Sequence, residues 1–147
     1  LLSIKDKNGN TIQDFHQQRK RVISDTVAYK MIDVMKGVVE SGTAASLKHR
    51  FSLDNIQIAG KTGSTNKNTD AWFIGYTPQL VTGVWVGCDD PIIHLLYTAN
   101  GQGAAAAMPI FGLFINKVYN DTQLPFNKKQ DFFIPTDTLF IKNPCHQ

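Results

Sequence analysis

The stretch Ala59-Gly60-Lys61-Thr62-Gly63-Ser64-Thr65 concentrates an ammonium group and several hydroxyls at the end of a predicted strand. A cation flanked by hydroxyl donors can hold an anionic group through charge-assisted hydrogen bonds. The other chemistry-bearing residues are dispersed. His16, His49, His94 and His146 form no pair at metal-ligand spacing, so neither a metal nor a cofactor is implied. Asp89 and Asp90 are adjacent, and neighbouring side chains of an extended chain point in opposite directions; with Pro91 they read as a turn rather than as paired carboxylates. Cys88 lies in an apolar run and reads as a buried structural thiol, and Cys145 as an exposed one. A bridge between the two stays open, since an oxidising compartment would permit it.

The elements that must position the Lys-Thr-Gly stretch can be read from pattern and punctuation. Asn8-Gly9 between two short β-prone runs predicts a hairpin turn with positive φ at both residues. Ser24 is placed to cap a helix from Asp25 to about Ser41, with Val27, Met31, Val34 and Val38 on one stripe and Gly42 at its end. Three strands follow, at about 56–61, 71–77 and 80–88, rich in β-branched and aromatic residues. The link Pro78-Gln79 is too short for a parallel crossover, so the last two strands must pair antiparallel. Gly75, Gly83 and Gly87 would weaken a sheet unless something approaches it closely, and a helix bearing Gly37 or Gly112 could do so. A last helix fits about 103–119, with Ile110, Phe111, Phe114, Ile115 and Val118 at helical spacing and Pro109 kinking or starting it. The prediction is an α+β fold, an antiparallel sheet covered by helices, over residues 1–120. Residues 121–147 form an extended tail that docks Phe126, Phe132, Phe133 and Phe140 on it.

Lys-Thr-Gly on an edge strand is one of three signatures of the serine penicillin-recognising enzymes. Any specified tripeptide occurs by chance in a chain of this length on the order of a few per cent of the time. Its surroundings are what make it specific. Ala59-Gly60-Lys61-Thr62-Gly63 continued into Asp70-Ala71-Trp72-Phe73-Ile74-Gly75-Tyr76-Thr77-Pro78 resembles the class A penicillin-binding proteins. Gly42-Thr43-Ala44, Val84-Trp85-Val86-Gly87 and Ala106-Ala107-Met108-Pro109-Ile110-Phe111 match that family in order, and the resemblance spans roughly residues 10–120. It implies the C-terminal portion of a transpeptidase domain that cross-links peptidoglycan stem peptides ending in D-Ala-D-Ala and binds β-lactams.

On that resemblance, Lys61 supplies positive potential and a hydrogen bond to the substrate carboxylate. Thr62 and Thr65 donate hydroxyls to it, and Gly63 belongs to the strand along which the substrate lies. The backbone N–H of Ser64 points into the oxyanion hole. The family usually has Thr at position 64, a change that a backbone donor tolerates. A second departure is Asn100-Gly101-Gln102-Gly103, where many relatives have Thr-Gly-Gly. Asp70 reads as a turn cap and Trp72 as a core aromatic.

Ser64-Thr65-Asn66-Lys67 fits a Ser-x-x-Lys pattern, and its first three residues fit Ser-x-Asn, but both overlap the Lys-Thr-Gly strand. Such sites are assembled from separate elements, and one contiguous stretch cannot surround a substrate from three sides. The nucleophilic serine is therefore expected outside this chain, which opens as if inside a domain and is expected to be inactive alone. A serine β-lactamase-like hydrolase and a non-catalytic peptidoglycan-binding relic of the fold are the alternative readings.

Composition agrees with an ordinary globular chain: 147 residues, 42% hydrophobic and 18% charged. The net charge of +3 is too mild to indicate nucleic-acid binding, and Arg19-Lys20-Arg21 reads as a solvated basic loop. No apolar run approaches the roughly 20 residues of a membrane span, and no signal pattern opens the chain. A soluble chain is expected. The resemblance implies a cell-envelope location on the outer face of the cytoplasmic membrane, with contact to the membrane only through an N-terminal anchor outside this chain.

Overall fold

The computed structural model describes residues 3–15, 20–90 and 92–136. His16, Arg19, Pro91, Phe140, Cys145 and His146, which the sequence reading considered, lie outside the described residues.

Strands β1 (Ser3–Lys5) and β2 (Thr11–Asp14) form an antiparallel hairpin. Its turn differs from the one predicted. Gly9 has φ 87°, but Asn8 is not left-handed. The Asp6 carboxylate accepts from Asn8 N and Asn10 N at 2.8 and 2.9 Å, and Gly9 N donates to Asp6 O. These bonds draw the chain into a longer loop in which a single left-handed glycine suffices.

Helix α1 (Asp25–Glu40) begins where predicted, with Ser24 Oγ accepting from Val27 N, an N-cap bond. It stops before Gly42, whose N–H, like that of Ser41, closes on Gly37 O. The short helix α2 (Ser46–Arg50) buries Leu47. Strands β3 (Ala59–Ser64), β4 (Asp70–Tyr76) and β5 (Val81–Gly87) form one sheet in that order, antiparallel throughout. The first strand thus starts later than predicted, because Ile56 N turns back to Leu53 O. Lys61, Thr62, Gly63 and Ser64 are ladder residues, opposite Ile74, Phe73, Trp72 and Ala71. The Pro78-Gln79 link makes the predicted tight turn, with Thr77 N donating to Leu80 O. The buried Thr77 hydroxyl also accepts from Tyr119 OH at 2.7 Å.

The one-turn helix α3 (Thr98–Gly101) leads into α4 (Gly103–Asn120). Pro109 lies inside α4 and does not start it. The helix lies on one face of the sheet through Ala107, Met108, Phe111 and Ile115. Phe111 stacks against Phe73 with ring centroids 4.8 Å apart, and a Cβ on Gly75 would sit 2.6 Å from the Phe111 ring. The expected close approach is therefore real, but the bare position is on the strand. Gly112 instead receives Phe51 from the segment after α2, and a Cβ on Gly37 would meet nothing.

The other face carries Tyr76 under α1, where its hydroxyl donates to Met35 Sδ and its ring meets Phe132 edge-on. The rest of that face is open, with Trp72, Ile74 and Trp85 exposed. Helices thus cover much of one face, where Val84 and Val86 stay partly buried, and a smaller part of the other. The predicted stripe of α1 is amphipathic, yet Val27, Met31 and Val34 are exposed, as are Ile110 and Phe114 of α4. Helical period identifies an apolar face but not what covers it. Beyond Asp121 the described tail has no regular element and docks Phe126 on Tyr119 and Phe132 on Tyr76, while Phe133 stays exposed.

The core makes a direct prediction. Phe111→Ala should lower unfolding free energy by about 3–5 kcal/mol, whereas Phe114→Ala on the bare side of the same helix should change it by about 0.5 kcal/mol or less. Urea unfolding of the two variants measures the contrast.

Candidate active site: the free edge of β3

Strand β3 is an edge strand, so alternate N–H and C=O groups face away from β4. Thr65 N donates across to Asp70 O at 3.1 Å. One residue earlier the polarity reverses, which directs Ser64 N–H outward, and two residues before that Thr62 turns its backbone the same way. The outer edge therefore presents a row of backbone groups to which an extended peptide could add as a further strand.

Side chains alternate across the strand as well. Lys61 shares the open face with Ile74 and Trp72, while Thr62 and Ser64 share the other with Phe73 and Ala71. The Lys61 ammonium bends to the edge and donates to Thr62 O at 2.9 Å, with Thr62 Oγ1 at 3.3 Å. Thr62 Oγ1 also lies 3.1 Å from Thr43 Oγ1 in the loop after α1. A cation and two hydroxyls are thereby gathered at one point on the edge. Thr43 was quoted in sequence only as part of a matching motif. Its contact with Thr62 joins residues 19 apart and had no periodic signal.

The turn between β3 and β4 is held by a compact polar cluster. Thr65 and Thr69 hydroxyls lie 2.6 Å apart, and each is 3.1 Å from Asp70 Oδ2. Trp85 Nε1–H donates to Asp70 Oδ1 at 2.9 Å, and Asp70 N donates to Thr65 Oγ1 at 2.9 Å. The cluster stabilises a turn in which Lys67 and Asn68 both have positive φ, 61° and 56°, a conformation costly for residues other than glycine. Asp70 thus caps a turn, as its sequence context suggested. Thr65 keeps its hydroxyl inside this cluster, so a substrate bond from it would compete with Asp70. Trp72 departs from expectation: it is 42% exposed, beside Trp85 at 6.2 Å between centroids, on the open face rather than in the core.

Ser64 Oγ accepts from Gly103 N at 2.9 Å, tying the strand to the start of α4. Sequence reading had given Ser64 a backbone role alone. Behind the turn, a cavity of about 210 Å³ is bordered by Thr69, Val86, Cys88 and Leu95; Cys88 is half-buried there. His49 lies on α2, and His94 Nδ1 is 2.9 Å from Ile92 O. Arg21 pairs with Asp25 at 3.2 Å on the surface. No helix among the described residues is long and apolar enough to cross a membrane.

This arrangement of sheet, covering helix and edge strand is shared with penicillin-binding protein 1A of Haemophilus influenzae. Its 2.6 Å crystal structure matches with a TM-score of 0.66 at 20% identity, covering 92% of this chain and 24% of that one. The likeness at that identity is one of fold. The profile described as "Penicillin binding protein transpeptidase domain" matches residues 2–111, and the chain belongs to that family. Its relatives are of class A. It is 43% identical over 114 residues to penicillin-binding protein 1A of Clostridium novyi (strain NT), covering 78% of this chain and 12% of that protein. It is 32% identical over 145 residues to penicillin-binding protein 1A of Aquifex aeolicus (strain VF5), covering 98% and 18%. To penicillin-binding protein 1B of Escherichia coli (strain K12) it is 34% identical over 127 residues, covering 86% and 14%. The chain thus spans only a small part of the length of the relatives it matches.

The Asp70 cluster has a pH signature. The hydrogen bond from Trp85, then that from Thr65 and last that from Thr69, hold the Asp70 carboxyl below its ordinary value of 3.8, against the opposing effect of desolvation. A carboxyl lowered in the folded state stabilises the turn above its unfolded value and loses that contribution as pH falls through the folded one. The Trp85 indole N–H resonance is expected to hold steady until pH drops below 3.8 and then to shift, and Asp70→Asn should abolish that acid-range change; an NMR pH titration reads both.

Proposed function

We propose that the protein carrying this chain is a serine-type D,D-transpeptidase that cross-links peptidoglycan on the outer face of the cytoplasmic membrane, and that β3 is its substrate strand. The observation that carries the reading is the meeting of the Lys61 ammonium, the Thr62 hydroxyl and the outward Ser64 N–H on one unpaired strand edge, in a chain of the penicillin-binding transpeptidase family. A stem peptide ending in D-Ala-D-Ala adds to the edge as an extended strand. Lys61 and Thr62 bind its terminal carboxylate, Lys61 by a charge-assisted bond. Ser64 N–H donates to the penultimate D-Ala carbonyl oxygen as negative charge develops there.

The nucleophile is a serine outside this chain. Its oxygen bonds to the carbonyl carbon, and the peptide bond to the terminal D-Ala breaks. The proton of the serine hydroxyl passes to the leaving nitrogen, and D-Ala departs. An amine of a neighbouring stem peptide then attacks the ester, restoring the serine and forming the cross-link. β-Lactams acylate the same serine by ring opening, with their carboxylate on Lys61 and Thr62. Gly63 lets the peptide run close along the strand, and Thr65 acts mainly through its turn. The names of the relatives, penicillin-binding proteins 1A and 1B, favour this reading over a β-lactamase or a binding-only relic.

Labelling with a fluorescent penicillin tests it on three proteins: this chain, the full-length protein carrying it, and that protein with Lys61→Ala. Label is expected on the full-length protein and not on the chain. Removing the charged hydrogen bond should slow labelling by roughly 10- to 100-fold. A folded full-length protein that takes no label would contradict the assignment.

A further inference from the structure

We infer that the side chain of Ser64 and the buried Gly103 at the start of α4 form a positioning device that fixes the Ser64 N–H for acylation. The inference rests on the reading of β3 as the substrate strand.

Ser64 stands opposite the buried Ala71, so its side chain points to the face that α4 covers, while Lys61 points to the open one. On the covered face Ser64 Oγ takes the Gly103 N–H at 2.9 Å, a contact between residues 39 apart. That N–H belongs to the first turn of α4, where the helix offers it no internal acceptor. The helix has no side-chain cap of its own from Gln102. A strand hydroxyl therefore does the work of a cap, from another element.

Gly103 is shaped for this contact. It is buried, and a Cβ there would collide with Trp72 O and lie 2.7 Å from Gly63 O and 3.2 Å from Gly63 N. Only a glycine lets the helix start sit directly on the backbone of β3 and β4, with its N–H reaching Ser64. Downstream, Phe111 on Phe73 anchors the same helix to the same sheet. Residue 64 is thus gripped through its side chain by the helix, while Gly63, whose carbonyl shares a peptide plane with Ser64 N–H, is paired with Trp72 in the ladder. With both held, the peptide plane carrying Ser64 N–H has no freedom to rotate from the edge. An oxyanion donor acts by being fixed in advance of the charge it meets, and small misplacements near a reacting centre cost rate steeply.

The side chain at position 64 then needs an acceptor oxygen. Threonine supplies one as serine does, cysteine supplies a weak one in nearly the same shape, and alanine supplies none. The test uses the full-length protein with Ser64→Ala, Ser64→Cys, Ser64→Thr and Gly103→Ala. Penicillin acylation is resolved into non-covalent affinity and acylation rate constant per titrated active site, so that loss of folded protein does not count as loss of rate.

Ser64→Ala is expected to lower the acylation rate constant by about tenfold or more, with affinity changed by about twofold or less, since an interaction made in the transition state affects rate rather than binding. Ser64→Cys should fall between, Ser64→Thr should recover most of the rate, and Gly103→Ala should lower it as Ser64→Ala does. Hydrogen exchange at the Gly103 amide should quicken in Ser64→Ala and not in Ser64→Thr. A wild-type acylation rate per site in Ser64→Ala, or a loss that Thr fails to restore, overturns the inference alone. A wild-type protein that takes no penicillin overturns the substrate-strand reading, and this inference with it.

Discussion

The close seating of α4 on one face of the β3–β4–β5 sheet is the constraint on which the rest of the molecule depends. It requires bare backbone at two places. Gly75 leaves room for the Phe111 ring, and Gly103 lets the helix start touch the carbonyls of Gly63 and Trp72. Between these points Met108, Phe111 and Ile115 exclude water from Phe73 and Ala71. Burial of such large side chains is the dominant stabilising term in a small domain. The helix is docked on β4 at both ends of the contact, and β3 is tied to β4 through the ladder. An edge strand is ordinarily the most yielding part of a sheet. Here its Ser64 end is held from the side by a helix and from below by the Asp70 turn.

The same packing explains the asymmetry of the sheet. One face is packed by α4 over Ala71 and Phe73, and Thr62 and Ser64 lie at its β3 edge. The other is covered by α1 and Phe132 only around Tyr76, leaving Trp72, Ile74 and Trp85 beside Lys61. Burial raises the Tyr76 hydroxyl's pKa at the covered end. At the open end an ammonium stands next to apolar surface. Exposed apolar area of this kind marks a place where further structure or ligand is met. The edge groups, the cation and the hydroxyls all converge at this end of β3.

Much of this was legible in sequence, for local reasons. The two-residue link Pro78-Gln79 dictated antiparallel pairing, Ser24 dictated the start of α1, and Ala59 to Pro78 carried the resemblance. Apolar period identified α1 and α4 but not which positions are covered, since Val27, Met31, Ile110 and Phe114 obey the period and remain exposed. Trp72 failed for the same reason. At Asn8 the prediction failed because the Asp6 carboxylate selects a different turn. In the site, Lys61 and Thr62 could be found from their motif. The contacts that reach the strand could not: Thr43 meets Thr62 and Gly103 meets Ser64 from other elements, and nothing in the local pattern joins residue 64 to residue 103. Contacts that depend on how two elements dock are written in packing, which a linear reading does not contain.

The central claim is that the outer edge of β3 is where substrate is held and its carbonyl polarised. The most direct measurement is a crystal structure of the full-length protein acylated by a penicillin. The account predicts the acyl carbonyl oxygen about 2.7–3.1 Å from Ser64 N, with the penicillin carboxylate hydrogen-bonded to Thr62 and facing Lys61. An acyl group bound elsewhere, or one whose carbonyl oxygen points away from Ser64 N, would contradict it.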